Sequence, residues 1–433
     1  MAAMQSNPPP VETTFPLIQW SEAGQVCSAR WRSERGAAPP KKVMLADDTM
    51  SADTAYRLAC EGTALLWRGD FPNARQMLQA IARRADDSGK TDKRGRKPKV
   101  NPLAAAMDPA EAAKGFHMHR QAQAQRARVL GMVLIAFDTD HSIALRRAPD
   151  ARIACAEAWG AADSGENSAP CVASLRELLG VISAHEWRKN GVEIPALGED
   201  PGDPRRSQRI HPHYGVYSPL RGEYLGLMVK MPLPKVDLVQ GVASNAFDAF
   251  TAFDIGTGTG VLAAVLARRG VDRIVATDLD PRALACAAEN LQRLQVNAEL
   301  VQANLFPPLD FGLAQLIVCN PPWLPARPSS PLEHAVYDEG SSMLLGYLNG
   351  LAAHLAPDGE GWLILSDLAE HLGLRTRAEL LAAIKAAGLQ VAGRMDAKPT
   401  HGKAADTTDP LHAARSQEVT SLWRLKVKPP KSP

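Results

Sequence analysis

The sequence predicts an α/β fold for the C-terminal half of the chain, preceded by a mainly helical N-terminal domain. From about residue 250 to residue 425, short apolar runs typical of strands alternate with stretches that have the apolar spacing of helices. The stretch 253–260 places three alternate glycines between an apolar run and a helix-like run, which is the order strand, turn, helix. Repeated units of this kind require a mostly parallel sheet with helices on both faces.

The length and two breaks in composition predict the domain organisation. A chain of 433 residues is long enough for two or three domains. Residues 1–42 are rich in Pro, Ala and Ser and predict a flexible N-terminal arm. A polar break with glycine and proline at 198–209 predicts the main domain boundary. We therefore expect a mainly helical accessory domain for substrate recognition over 43–200 and the α/β domain over 205–428.

Caps and apolar spacing predict the elements of the accessory domain. Ser51 is a suitable N-cap for a helix that continues as far as Trp67. Further helices are expected over about 73–84 and 109–130. The run at 133–137 and the apolar residues at 143–145, separated by a polar turn, predict a hairpin.

The elements of the α/β domain follow in alternation after a helix that starts near Glu223. They are strand 252–253, helix 260–269, strand 273–277, helix 281–294, strand 299–302, strand 316–319, helix 343–355, strand 362–366, helix 376–387, and strands near 389–394 and 419–425. Because the carboxyl ends of parallel strands meet at one edge, we expect the loops after these strands to form the ligand site.

Composition limits the class of protein. The chain has 49 Lys and Arg against 47 Asp and Glu, a net charge of +2, so any surface for nucleic acid must be local. The six cysteines are scattered and form no C-x-x-C pair, so we expect no metal site and a reducing, cytoplasmic location. The N-terminus does not resemble a secretory signal, and no apolar run reaches the ~20 residues of a membrane span.

One basic run stands out in the accessory domain. Lys90–Lys99 holds six cations in ten residues, and Arg120, Arg126 and Arg128 follow on an expected helix. The run has two interpretations, a solvated linker and an arm that contacts phosphates. The second interpretation makes Lys90–Lys99 the expected point of contact with RNA or the ribosome.

The glycine turn predicts a cofactor site. Alternate glycines can adopt positive φ and let a ligand approach closely, and the first N–H groups of the next helix face that ligand. A dinucleotide site needs G-x-G-x-x-G, and Val261 occupies the position of the third glycine, which disfavours a dehydrogenase. The expected cofactor-binding residues of this turn are Asp254, Gly256, Thr257, Gly258 and Gly260.

Two acidic residues follow the second strand and have different expected roles. Asp278 ends the strand, and a carboxylate there can accept both ribose hydroxyls of a bound nucleoside. Asp280 precedes Pro281, which is the arrangement of a helix cap followed by a first-turn proline. We therefore assign Asp278 to the cofactor and Asp280 to the helix.

The most specific motif is Asn320-Pro321-Pro322-Trp323, which follows the apolar strand 316–319. The Asn320 side-chain carbonyl and the Pro321 backbone carbonyl can both accept hydrogen bonds from one NH2 group, which directs the nitrogen lone pair at an electrophile. Trp323 offers a face for a flat substrate, and the prolines fix φ and remove competing donors. The alternative interpretation is a buried turn. With the glycine turn and Asp278 upstream, the motif predicts catalysis by Asn320, Pro321, Pro322 and Trp323.

The chain from about Tyr214 to Leu425 resembles the HemK-like, small-domain class I methyltransferases, which depend on S-adenosylmethionine (SAM). The resemblance rests on DIGTGTG at 254–260, TDLDPRA at 277–283, NLF at 304–306 and NPPWLPA at 320–326. It implies a seven-stranded, Rossmann-like domain, SAM as cofactor, and Asn304 with Leu305 beside the adenine. It also implies that Pro325–Pro331 and Glu333–Gly340 form a loop that faces the substrate.

Members of this family methylate the glutamine amide of release factors or ribosomal protein, or the adenine amine of RNA or DNA. Both acceptors present NH2 on a planar carbon, so the motif does not separate them. The resemblance favours a protein glutamine amide, with adenine as the alternative. A catalytically silent protein that binds nucleic acid or the ribosome is the alternative from another class, and the intact Asn320 and Asp278 argue against it.

Overall fold

The computed structural model describes residues 16–88, 108–162, 169–235, 249–328, 331–399, 406 and 409–429. The chain forms two compact units. The first comprises Met1–Pro98 and Ala124–Ile182, and the second comprises Lys99–Gln123 and Ser183–Pro433. The basic run Lys90–Lys99 lies outside the described residues.

The first unit alternates short strands with helices, and two of the helices continue into the second unit. Its elements are β1 (Leu17–Glu22), β2 (Gln25–Trp31), β3 (Lys42–Ala46), α1 (Ala52–Cys60), β4 (Thr63–Trp67), α2 (Phe71–Ser88), α3 (Pro109–Leu130), β5 (Val133–Phe137), α4 (Arg152–Trp159), β6 (Cys171–Ser174) and α5 (Leu175–Asn190).

A mixed sheet forms the centre of the first unit. Six strands of its described part lie in the order β1-β2-β6-β5-β4-β3. The strands β3, β4 and β5 are parallel neighbours, and β5 pairs antiparallel with β6. Buried apolar side chains on these strands form one core cluster that includes Ile18, Trp31, Leu66, Leu134 and Val172. Most residues of the regular elements between 43 and 200 are helical, in line with the predicted mainly helical domain, but the sheet at its centre was not predicted.

The helix predicted from Ser51 begins as expected but ends early. The Ser51 side chain caps α1 by accepting a hydrogen bond from the Thr54 N–H. The helix ends at Cys60, and Gly62 follows with a φ of +85°. Thr63–Trp67 is the buried strand β4 rather than a continuation of the helix. A continuous apolar run fits a buried strand and a helix equally well, which explains the error.

The expected N-terminal arm contains a hairpin. β1 and β2 pair antiparallel, with Glu22 opposite Gln25. Ala23 and Gly24 form the two-residue turn, with φ of +49° and +78°. Two consecutive positive φ values are the geometry of a tight hairpin turn. Side chains that point alternately to the two faces of the sheet therefore determine strands over 17–31, although residues 1–42 are rich in Pro, Ala and Ser.

The hairpin predicted over 133–145 is wrong in its second strand. β5 is present, but residues 143–145, all within the described part of the chain, are not a strand. The Asp138 N–H donates to the Ser142 carbonyl at 2.9 Å, so a tight turn follows β5. The antiparallel partner of β5 is β6, more than thirty residues further along the chain.

The second unit contains the alternating strands and helices that the sequence predicts from the helix at Glu223 onwards, together with short elements that it does not predict. They are β7 (Val192–Glu193), β8 (Glu199–Asp200), β9 (Asp203–Ser207), β10 (Arg209–Ile210), α6 (Glu223–Lys230), β11 (Thr251–Ile255), α7 (Val261–Arg268), β12 (Arg273–Asp278), α8 (Pro281–Arg293), β13 (Glu299–Gln302), β14 (Ala314–Cys319), α9 (Ser342–His354), β15 (Leu355–Ser366), α10 (Leu368–His371), α11 (Arg377–Ala386), β16 (Leu389–Ala397), α12 (His412–Arg415) and β17 (Thr420–Val427).

Seven strands of the described chain form the main sheet of this unit, in the order β13-β12-β11-β14-β15-β17-β16. The first five are parallel, and β17 runs antiparallel to both β15 and β16. This arrangement confirms the predicted α/β fold. The strand order reverses between β11 and β14, and in such sheets ligands bind at the carboxyl ends of the strands on either side of this point.

The second unit begins earlier than the predicted boundary at 200–205. The units divide between Ile182 and Ser183, within α5. Ile194, Leu197 and Ile210 are buried in the same apolar cluster as α7, so the segment before residue 205 belongs to the core of the second unit. The polar break at 198–209 is a surface segment of this unit and not a linker between domains.

The N-terminal half of α3 also belongs to the second unit. Phe116, only 1% exposed, packs in a cluster with Leu324, Leu368 and Leu372. The whole helix was predicted to belong to the accessory domain, and the packing of Phe116 contradicts that prediction. In the described part of the chain, none of the helices combines the length and apolar character that a membrane span requires.

Candidate functional site

The glycine turn has the conformation that its sequence predicts. Gly256, Gly258 and Gly260 have φ of +72°, +56° and +79°. The Gly256 and Thr257 N–H groups donate to the Thr277 carbonyl at 2.9 and 2.8 Å, which fixes the turn against β12. A Cβ added to Gly258 would have no heavy atom within 4 Å, so the turn borders open space at this glycine. The turn therefore combines a fixed backbone with room for a ligand.

Asp254 is buried beneath this turn. Its Oδ2 accepts hydrogen bonds from Thr257 Oγ1 at 2.7 Å and from the Ala263 N–H at 3.1 Å, so it joins the turn to α7. Its Oδ1 is buried and has no hydrogen-bond partner among the described residues. Burial raises the pKa of Asp254 to about 7, and the nearby Asp278 contributes to the rise.

Asp278 occupies the tip of β12 and is half-buried. Its Oδ2 accepts from the Gly258 N–H and its Oδ1 accepts from the Asp280 N–H, both at 3.0 Å. Burial raises its pKa. Asp280 caps α8 through the Arg282 N–H at 2.9 Å, and Pro281 is the first residue of that helix. The structure thus brings Asp278 against the glycine turn and gives Asp280 the expected structural role.

The segment after the third strand returns to the same edge of the sheet. The Ala303 N–H donates to the Asp278 carbonyl at 3.1 Å, and Thr277 Oγ1 donates to the Leu305 carbonyl at 2.5 Å. Leu305 has a φ of +74°, which is uncommon for a branched residue. Asn304 between them is exposed. Asn304 and Leu305 therefore lie beside Asp278, as the sequence order predicts.

The strand register places the Asn-Pro-Pro-Trp motif beside the glycine turn. Ile255 pairs with Thr277 on one side and with Cys319 on the other. Asn320 follows Cys319 directly, so it emerges at the sheet edge level with Gly256 and Asp278. Pro321 is buried, whereas Asn320, Pro322 and Trp323 are half-buried.

Trp323 does more than offer a ring face. Its Nε1–H donates to Asn320 Oδ1 at 2.9 Å, so the indole contacts the side chain assigned to catalysis. The guanidinium carbon of Arg221 lies 4.9 Å from the centre of the Trp323 ring. Arg221 Nη2 also bonds Glu418 Oε2 at 2.9 Å. Arg221 and Glu418 were not predicted from the sequence, because no local pattern connects them to the motif.

The loop after the motif is tied to two other elements. The Asp338 N–H donates to the Leu324 carbonyl at 2.9 Å, and Asp338 Oδ2 accepts from the Met343 N–H at 2.9 Å at the start of α9. The guanidinium carbon of Arg120 on α3 lies 4.0 Å from the centre of the Tyr337 ring, and Arg120 Nη1 donates to Glu333 Oε2 at 3.1 Å. These contacts make α3 a wall of the loop that the resemblance assigns to the substrate.

The site favours transfer chemistry that depends on positioning. Among the residues that the structure describes, His, Cys, Asp and Glu form no group able to hold a metal ion. Cys319 lies at the end of β14, and burial raises its pKa well above the ordinary value, so it is a thiol and a poor nucleophile. The site instead presents backbone N–H groups, the Asp278 carboxylate and the Asn320 amide.

Residues 238–366 match the family model described as Methyltransferase small domain. The chain is 46% identical over 72 residues to the Ribosomal protein L11 methyltransferase of Pelotomaculum thermopropionicum, covering 16% of this chain and 23% of the relative. It is 34% identical over 139 residues to the Release factor glutamine methyltransferase of Caulobacter vibrioides, covering 30% of this chain and 48% of the relative. A methyltransferase structure from Pyrococcus furiosus aligns at 18% identity and a TM-score of 0.33, over 50% of this chain and 91% of that one.

The chain spans about half or less of the length of these two curated relatives. Over residues 238–366 the matches agree with the predicted resemblance to the HemK-like, small-domain methyltransferases. The matched region ends at the last residue of β15 and contains the glycine turn, Asp278 and Asn320. The methyltransferase small domain therefore coincides with the part of the second unit that holds the predicted site. The assignment of individual residues to cofactor and acceptor stays a prediction.

Proposed function

We propose that the chain is a SAM-dependent N-methyltransferase that acts on a planar NH2 nitrogen, and that the acceptor is the side-chain amide of a protein glutamine. The observation that carries this proposal is the position of Asn320, at the sheet edge between the two strands where the order reverses and level with the glycine turn. The names of two relatives, which cite release factor glutamine and ribosomal protein L11, favour a protein acceptor. We propose a cytoplasmic location on the same basis.

The residues of the site fit SAM. Each carboxylate oxygen of Asp278 accepts one backbone N–H and retains a lone pair for a ribose hydroxyl. The open space at Gly258 admits the nucleoside and methionine parts of the cofactor. Asn304 and Leu305 would lie beside the adenine. When bound, SAM supplies an activated methyl group on a positively charged sulfur.

Two hydrogen-bond acceptors of the motif orient the substrate nitrogen that receives the methyl group. Asn320 Oδ1 and the Pro321 carbonyl each accept one hydrogen of the substrate NH2 group, which directs the nitrogen lone pair at the methyl group. Pro322 and Trp323 hold the acceptor motif beside the cofactor. The rate arises from positioning and from exclusion of water rather than from a strong base.

Methyl-labelled SAM and a cell lysate test the proposal. The label should enter material that protease destroys and ribonuclease leaves intact, and digestion should yield methylated glutamine. Asn320→Ala should abolish this labelling while SAM binding persists. Asn73→Ala, a change of a half-buried asparagine on α2 in the other unit, is the matched control and should label normally.

The alternatives have distinct outcomes. Label that ribonuclease removes would identify adenine in RNA as the acceptor and contradict the glutamine assignment. Bound SAM without transfer to any fraction would indicate the catalytically silent protein. Full activity of Asn320→Ala would show that the motif is only a structural turn.

A further inference from the structure

The hydrogen bond between Trp323 and Asn320 fixes the orientation of an amide. The indole N–H can only donate, so the atom of Asn320 that faces it at 2.9 Å is the oxygen Oδ1 and not the NH2 group. A phenylalanine or tyrosine ring has no donor at this position. The tryptophan therefore gives the motif in this chain a contact that the other aromatic residues cannot provide.

Trp323 is itself held by residues that are distant from it in sequence. Arg221 lies with its guanidinium carbon 4.9 Å from the Trp323 ring centre, a cation–π distance. Arg221 bonds Glu418, whose side chain is 1% exposed, at 2.9 Å. Ser366 Oγ donates to the other oxygen of Glu418 at 2.7 Å. Since Ser366 ends β15, these contacts connect Trp323 to the central sheet.

We infer that Trp323 is a positioning residue that sets the amide of Asn320 for methyl transfer, and that Arg221 and Glu418 hold Trp323 in place. The inference rests on the proposed function. Asn320 Oδ1 has two lone pairs, of which Trp323 occupies one and the substrate NH2 can occupy the other. A reversed amide would present its own NH2 group to the acceptor NH2, and two donors cannot pair.

Replacement of the indole by a smaller ring tests this inference by kinetics. Trp323→Phe keeps an aromatic face and removes the N–H. We expect kcat to fall about tenfold, the scale of one lost hydrogen bond, with an unchanged KM for SAM. Trp187→Phe makes the same change at a side chain that is 45% exposed in the same unit, and it should leave the kinetics unchanged.

Arg221→Lys tests the support of Trp323. The substitution keeps the charge beside Glu418 and removes the planar guanidinium that lies over the ring. We expect a fall in kcat in the same direction as for Trp323→Phe. The double variant should lose little more than Trp323→Phe alone, because both changes act through the same side chain. Additive losses would contradict the role of Arg221 in holding Trp323.

A spectroscopic measurement tests the contact without turnover. The chain has eight tryptophans, so a spectrum of ¹⁵N-labelled indole groups is simple, and the signal absent from Trp323→Phe belongs to Trp323. Asn320→Ala should move the proton of that signal upfield and leave the Trp187 signal in place, because the indole N–H loses its acceptor.

The outcomes separate this inference from the proposed function. If Asn320→Ala loses turnover but Trp323→Phe retains it, the proposed function stands and the positioning role of Trp323 is wrong. If the proton shift of the Trp323 indole signal is the same in Asn320→Ala as in the wild type, the hydrogen bond does not exist in solution and the inference is wrong. If Asn320→Ala keeps its turnover, both the proposed function and this inference fail.

Discussion

The backbone N–H of Gly258 donates to Oδ2 of Asp278 at 3.0 Å. This bond joins the centre of the glycine turn to the tip of the neighbouring strand β12. The same carboxylate accepts the Asp280 N–H through Oδ1, so it is fixed in position before a ligand arrives. A fixed acceptor loses little conformational entropy when a ribose binds, which is the advantage of preorganisation.

Asp278→Ala should weaken SAM binding by about 1.5–3 kcal/mol, the scale of hydrogen bonds to a charged group. Titration calorimetry measures this directly. Asp280→Ala is the matched control, because Asp280 caps α8 through Arg282 and should alter stability by about 1 kcal/mol while SAM affinity persists. Equal affinities of wild type and Asp278→Ala would remove Asp278 from the cofactor site.

Asp254 should make stability depend on pH in an unusual direction. Burial raises its folded-state pKa to about 7, above the value of 3.8 for an exposed carboxyl, so the folded protein takes up a proton between these values. The stabilising contribution of Asp254 to the free energy of unfolding is therefore complete below about pH 4 and falls as the pH rises towards 7. Above about pH 7 it no longer changes with pH.

Asp254→Asn removes this titration. Relative to the variant, the wild type should lose up to about 4 kcal/mol of stability between pH 4 and pH 7. Thermal unfolding of both proteins across this range measures the difference, which cancels the contributions of groups that do not interact with Asp254. Parallel curves for the two proteins would mean that Asp254 titrates normally in the folded state.

Arg120 should matter for the acceptor and not for the cofactor. It lies over Tyr337, bonds Glu333, and donates to the Arg327 carbonyl at 2.6 Å, so it holds the loop after the motif against α3. Arg120→Ala should raise KM for the protein acceptor roughly five- to tenfold with unchanged SAM affinity. Arg126→Ala, which breaks an ion pair with the half-exposed Asp86, is the control. A similar rise in KM for both variants would assign the effect to helix stability.

The basic run Lys90–Lys99 should contribute to RNA contact if it is an arm and not a linker. Replacement of Lys93, Arg94, Arg96 and Lys97 by alanine should weaken binding to ribosomal RNA and reduce the salt slope by about 0.7–0.9 per contact removed. Filter binding from low to moderate salt measures both quantities. Identical curves for wild type and variant would support the solvated linker.

The sequence by itself determined the α/β order of the second unit and the common edge of the sheet at which the predicted site residues lie. A strand, an alternate-glycine turn and a helix are encoded within a few residues, because positive φ and capping are local properties. Parallel strands then bring their carboxyl ends to one edge, so Asp254, Asp278 and Asn320 could be placed together from their order alone.

Local signals did not reveal the sheet of the first unit. Four of the five residues of Thr63–Trp67 are apolar, and such a run does not distinguish a buried strand from a helix. The pairing of β5 with β6 joins segments separated by a helix and a long connection, and no local pattern indicates it. For this reason the six-stranded sheet was not predicted, and its first two strands lie in the segment that was expected to be a flexible arm.

Only the tertiary structure decided what surrounds the Asn-Pro-Pro-Trp motif. Arg221 and Glu418 are 197 residues apart in sequence, and Arg120 and Glu333 are 213 residues apart. Such pairs form because the packing of whole elements brings their residues together. The interaction energy of each pair is small, and the pair produces no recognisable pattern in the sequence. The same packing turned the Trp323 indole towards Asn320 and made the N-terminal portion of α3 part of the unit that carries the site.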